Sequence, residues 1–152
     1  MTRRVVLLSS LASLACNKTL RADSAQQVWD LFGDMAASLS AANPQEFLAA
    51  FDKAMPGYQK LSDNVTALLH GFDIQSSVEF NKNEGDDQKR EVEADWLMIL
   101  HPVENGMYAS PKGEVMASDR REQVLKCTVA KQGRKWKMVA LGPVEFFAPP
   151  AV

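Results

Sequence analysis

Apolar residues recur along this chain with two different periods, and the change falls near Gly71. Before that point they repeat at helical spacing; beyond it they alternate in four strand-like runs. Ser24 with Gln27 has the form of a capping box, and the helix it opens places Val28, Leu31, Phe32, Met35 and Leu39 on one stripe. Asn43-Pro44-Gln45-Glu46 is a second start signal, with Asn as cap and Pro at the first helical position. Phe47, Leu48, Phe51 and Met55 follow, and Pro56-Gly57 is expected to end that helix. A third helix runs from about Tyr58 with Leu61, Val65, Leu68 and Leu69 on its buried face, His70 in its last turn and Gly71 as its stop.

From Phe72 the period becomes two. Phe72, Ile74, Ser76, Val78 and Phe80 share one face of a first strand, before a turn around Asn83-Glu84-Gly85-Asp86. Val92, Ala94, Trp96, Met98 and Leu100 share one face of a second strand. Its opposite face starts polar at Glu91, Glu93 and Asp95 and becomes apolar at Leu97 and Ile99, so cover on both sides is expected there. The cover would be a partner subunit or the curl of the sheet itself. The connection His101 to Lys112 carries Asn105-Gly106 and Pro111, both turn signals. A third strand over roughly Val115 to Lys131 is long enough to predict a bulge within it. A turn at Gln132-Gly133 returns the chain to a fourth, Arg134 to Leu141, and Phe146-Phe147 should lay a short apolar tail against the body. Helices followed by antiparallel strands predict an α+β fold: three N-terminal helices packed on a curved four-stranded antiparallel sheet.

Ahead of this domain, Met1 to Ala22 reads as an export signal, giving a division into residues 1–22 and a single domain over 23–152. Arg3 and Arg4 precede the apolar run Val5 to Ala15, which is too short to span a bilayer as a helix. Ser13-Leu14-Ala15-Cys16 also resembles a lipoprotein cleavage box, which would acylate Cys16 and anchor the protein to a membrane. A cytosolic N-terminal helix is the third reading of this stretch. Cleavage after Ala22 would leave 130 of the 152 residues, with 13 basic residues against 19 acidic ones, a net charge of −6. Such a balance lacks the footprint for nucleic acid and gives no basic face for anionic lipid. Only Cys127 would then remain, so no internal disulfide can form. The expected location is periplasmic or extracellular.

Arg120-Arg121-Glu122-Gln123-Val124 in a long strand, then Gly133-Arg134-Lys135-Trp136-Lys137-Met138 opening the last one, resembles the nuclear transport factor 2-like superfamily. The resemblance covers about Ser24 to Phe147. It implies a cystatin-like cone, with the sheet curled around the helices and a pocket at the open end. Members include ketosteroid isomerases, polyketide cyclases, epoxide hydrolases, dehydratases and non-catalytic binding or dimerisation domains, so the fold leaves the function open. One departure is that Met55-Pro56-Gly57 leaves no room for the short strand that often separates helices two and three.

Candidate chemistry is sparse. An isomerase site of this kind needs an Asp base with Tyr and protonated-acid donors. Here Tyr58 begins a helix, Tyr108 sits in a loop, and Asp95 alternates away from the Trp96 face. A dehydratase-like pair needs His70 or His101 beside a carboxylate. Two histidines and one remaining cysteine do not suggest a zinc site, and no cofactor motif is present. Cys127 shares a face with Leu125 and Val129, as a buried thiol does. Asp119, Arg121 and Gln123 continue that face toward the mouth of the cone, where Arg121 could bind a ligand carboxylate or phosphate or pair internally with Asp119. Tyr58, Trp96, Arg121 and Gln123 are therefore the candidate ligand-binding residues, with no catalytic residue assigned. A small, partly apolar ligand is one expected partner, and a second copy docked on the outer sheet face is another.

Overall fold

In the computed structural model, residues 24–104 and 119–150 are described. The export signal expected over residues 1–22, Cys16, Tyr108 and the start expected for the third strand lie outside them. A helix over 24–40, α1, is followed by α2 (Pro44–Leu48) and α3 (Tyr58–Gly71). The strands are β1 (Phe72–Gly85), β2 (Lys89–Pro102), β3 (Asp119–Gln132) and β4 (Lys135–Gly142), and a 3-10 turn over Val144–Phe147 closes the described chain. The sheet is an antiparallel meander in the order β1-β2-β3-β4. This is the α+β architecture that the two periods predict.

The helical stripe of α1 is buried as expected: Val28, Phe32 and Leu39 are fully covered and Met35 is 2% exposed. Its start differs. Ser24 Oγ donates to Asp87 at 2.8 Å and Gln27 Oε1 accepts from the Trp136 indole at 3.0 Å, so the pair ties the helix to the sheet instead of forming a capping box. The second cap is made: Glu46 N donates to Asn43 Oδ1 at 3.0 Å, and Asn43 Nδ2 returns a bond to the Glu46 carboxylate at 3.1 Å.

Helix α2 stops after five residues rather than continuing to Met55. The reason is competition for backbone groups. Asp52 N donates to Met138 O and Met138 N donates to Ala50 O, both at 2.8 Å, which forms a parallel bridge between Phe51 and Met138. A single bridge thus sits between helices two and three, where Met55-Pro56-Gly57 had left no room for a strand. At the other boundary, α3 passes directly from Gly71 into extended Phe72, and the left-handed glycine is instead Gly57 at its start, with φ 81°.

Two register shifts bend the sheet, one between Phe80 and Lys82 of β1 and one opposite Thr128/Val129. In the second, Thr128 pairs with Ala140 and Val129 with Met138. The extra residue is therefore Val139 of β4, and the bulge expected in the third strand lies on its neighbour. The turn between β1 and β2 is held by a nearly buried Arg90, which donates to Asn83 Oδ1 at 2.8 Å and Asn83 O at 2.9 Å.

Candidate functional site

Cross-strand partners share a face, so the register assigns each candidate residue to one side of the sheet. Val78, Trp96 and Gln123 are aligned, as are Ser76, Met98 and Arg121. These rows look inward, toward the helices. Trp96 lies fully buried at the centre of that side, its indole N–H donating to Ser76 Oγ at 2.7 Å. Around it stand Phe147 at 5.3 Å, Phe32 at 6.1 Å and Phe47 at 6.5 Å between ring centroids, within the range of favourable aromatic contacts. Phe147 also meets Phe47 and Phe146, each at 5.2 Å. The space a cone would leave for a ligand is thus taken by aromatic side chains from α1, α2, β2 and the terminal turn.

Arg121 explains how the terminal turn stays there. Its guanidinium, 19% exposed, lies 3.3 Å from the Asp119 carboxylate and donates to the carbonyls of Phe146 (3.0 Å) and Ala148. Lys60 of α3 holds the same turn from outside through Glu145 at 2.7 Å. A planar guanidinium that supplies several donors suits this task better than an ammonium. Arg121 is therefore engaged by its own chain, and Gln123, although in register with Trp96, is exposed.

The four candidate ligand residues are not brought together. Arg121 and Gln123 line a cleft of about 510 Å³ between the start of β3 and Pro143–Pro150. Tyr58, half-buried, lines another of about 640 Å³ with Leu48, Phe51, Asp52 and Gln132. Trp96 lines neither. A third cleft, about 360 Å³, lies between α1 and the start of β4 beside Gln27, Asp30, Glu46 and Trp136. All three are open to solvent, and among the described residues no buried side-chain nitrogen or oxygen lacks a hydrogen-bond partner.

The titratable groups follow the same division. Backbone N–H bonds from Ala54, then the Gln132 amide, hold Asp52 below the ordinary carboxylate range. Bonds from the N–H groups of Gln88 and Lys89 do the same for Asp86, and the Lys60 hydrogen bond does so for Glu145. These three carboxylates sit on separate parts of the surface. Burial pushes the Cys127 thiol up to about 12, which removes it as a nucleophile at neutral pH. His70 is exposed at the end of α3. His101 lies opposite Asp73 in the register, so this histidine–carboxylate juxtaposition falls on the convex side of the sheet. Arg90 is a residue the alternation could have signalled, since it is in phase with Val92, Ala94 and Trp96.

No family model and no curated protein matches the sequence. Solved structures do match by shape. A nuclear transport factor 2-like superfamily protein from Salmonella enterica serovar Typhimurium is similar with a TM-score of 0.58 at 13% identity, covering 79% of this chain and 89% of that one. A candidate scytalone dehydratase from Novosphingobium aromaticivorans gives 0.64 at 13% identity, over 76% and 79%. A type 2 hexachlorocyclohexane dehydrochlorinase, LinA, gives 0.53 at 15% identity, over 88% and 85%. At such identities the likeness speaks to architecture alone. The chain has the nuclear transport factor 2-like, cystatin-like fold.

Proposed function

We propose that this protein is an exported interaction domain that works through its surface and carries out no reaction of its own. One observation carries the reading: the concave side, where a ligand would enter this fold, is packed with Trp96, Phe32, Phe47 and Phe147 and sealed by the Arg121 clamp. Catalysis needs titratable groups converging on a substrate-sized space. Here the perturbed carboxylates Asp52, Asp86 and Glu145 are dispersed on the surface instead. Export is supported by the sequence of Met1 to Ala22, with acylation of Cys16 as the membrane-anchored form.

The test is a thermal-shift and calorimetric screen with small aromatic, anionic and halogenated compounds, including those the similar dehydratase and dehydrochlorinase are named for. No saturable one-to-one binding is expected. A ligand that binds stoichiometrically and is turned over would overturn the reading. Mass spectrometry of the mature N-terminus addresses export separately: a chain beginning at Asp23 is the expected product. An intact Met1 or Thr2 would defeat it, and a diacylglyceryl mass on Cys16 would select the anchored form.

A second reading, binding of a small, partly apolar ligand, has its own observation. Besides ring packing, the turn bearing Phe146 and Phe147 is held through two backbone carbonyls accepting from Arg121 and through the Lys60–Glu145 pair, so it could be displaced as a unit. Withdrawal would uncover Trp96 and leave a free guanidinium for a ligand carboxylate. Deleting Val144–Val152 should then create binding of an apolar dye that the full chain lacks; unchanged dye fluorescence in a folded variant would dismiss it.

A further inference from the structure

The cleft of about 360 Å³ between α1 and the start of β4 is lined neither by Trp96 nor by the phenylalanines around it. Its floor is apolar, formed by half-buried Leu31 and by buried Met35, Ala50 and Trp136. Trp136 is fixed there, because its indole N–H donates to Gln27 Oε1 at 3.0 Å. Charge of both signs lines the walls. Asp30 and Asp34 stand one turn apart on α1, Glu46 belongs to α2, and Lys135 and Lys137 come from β4.

Three of these five groups are engaged by the chain. The Gln26 amide donates to Asp30 at 2.9 Å, Glu46 accepts from Asn43 at 3.1 Å in the cap of α2, and Lys137 turns to the Ala49 carbonyl. Two are left. The Asp34 carboxylate and the Lys135 ammonium have no hydrogen-bond or ion-pair partner among the described residues, and no ion pair joins them although both line the cleft. One free charge of each sign thus borders an apolar floor, the negative one on α1 and the positive one on β4.

Such a frame matches a molecule that carries both charges on an apolar body. A lone cation would sit beside Lys135 and Lys137, and a lone anion beside three carboxylates; a zwitterion meets each wall with the opposite sign. The volume falls at the lower end of the range for small-molecule sites, about 300–1,000 Å³. We propose that this cleft binds a free amino acid or dipeptide with an apolar side chain. Its ammonium rests on Asp34, its carboxylate on Lys135 and its side chain against Leu31 and Trp136. The proposal rests on the reading of the protein as a surface-interaction domain and names a partner for it. The two can fail separately: an empty cleft would remove this partner while leaving the concave side filled, whereas turnover of a ligand would remove the broader reading.

The experiment is a titration of the isotope-labelled protein with L-leucine and with L-leucyl-L-leucine, followed by NMR through the tryptophan indole N–H signals. Trp136→Phe identifies the signal of Trp136. Both probes should move that signal saturably and leave the signal of buried Trp96 in place. N-acetyl-L-leucine, which lacks the ammonium, and L-leucinamide, which lacks the carboxylate, should each bind about tenfold more weakly than L-leucine. Asp34→Asn should erase the preference over the acetylated form, and Lys135→Met the preference over the amide. Both positions are exposed, and melting curves establish folding. Should a variant fail to fold, the blocked compounds on the wild type still decide. A Trp136 signal that does not saturate, blocked compounds that bind as tightly as L-leucine, or folded variants that keep both preferences would each overturn the proposal. Movement of the Trp96 signal would put the ligand on the concave side and overturn the broader reading with it.

Discussion

On the inner side of β2, Val92, Ala94, Trp96, Met98 and Leu100 are each at most 1% exposed, while Glu93, Asp95, Leu97 and Ile99, the residues between them, remain half-buried on the other side. The same strand therefore answers to two constraints at alternate positions. Inward residues are chosen by volume, since an aromatic centroid a few ångströms off leaves a void or a clash. Outward residues are freer of that demand, and the side holds charge at Glu93 and Asp95 and apolar groups at Leu97 and Ile99. Among the described residues, the concave side is given over to packing around Trp96.

The largest expected effect comes from breaking the inward side. Trp96→Ala should cost about 3–5 kcal/mol in urea unfolding, whereas Leu97→Ala, one residue on and facing outward, should cost under about 1 kcal/mol in the monomer. Equal costs would abolish the distinction between the faces. Next is the adjacent arginine pair. Arg121→Ala should lose about 2 kcal/mol, because two carbonyls lose a charged donor, and Arg121→Lys should recover little of it. Arg120→Ala, which removes an exposed pair, should be near neutral in monomer stability. Reversed effects would mean that the tail is not what Arg121 holds.

A smaller change tests the cover over the concave side. Asn43→Ala removes the cap of α2 and should cost about 1 kcal/mol, read as a shift of the urea midpoint. The pH response should separate the sides most gently. The Cys127 thiol has its folded pKa raised, so its contribution is complete below about 9 and fades as pH climbs toward about 12. Asp52, Asp86 and Glu145 have theirs lowered, so their contribution is present above the ordinary carboxylate range and fades as pH falls through the depressed values. Because Asp86 and Glu145 are exposed and Asp52 is only half-buried, the acid limb should be shallow. Iodoacetamide should label Cys127 only under unfolding conditions; rapid labelling of the native protein would show that the inward side opens.

Much of this was legible in the chain itself. The stripe Val28–Leu39 and the alternation Val92–Leu100 name the buried residues directly, because periodicity reports which face meets another element. The length of α2 was not legible: Phe51 and Met55 fit a helical stripe, and only the arrival of Met138 from almost ninety residues later in sequence diverts Ala50 and Asp52 into a bridge. Ser24 and Gln27 misled for a related reason, since a local cap and a long-range hydrogen bond use the same side-chain atoms. For the candidate site, alternation placed Arg121 and Gln123 on the inward face but could not say that Phe146 and Phe147 would reach that space first.

The bridge at Phe51 has one more effect. By occupying the backbone of Met138 it blunts the β4 margin of the sheet, where strand upon strand could otherwise accrete. The β1 margin is obstructed at one point as well, where Ser76 N donates to Ser40 Oγ at 3.2 Å. Edge-to-edge accretion needs unobstructed backbone, so this short detour in the chain acts against it.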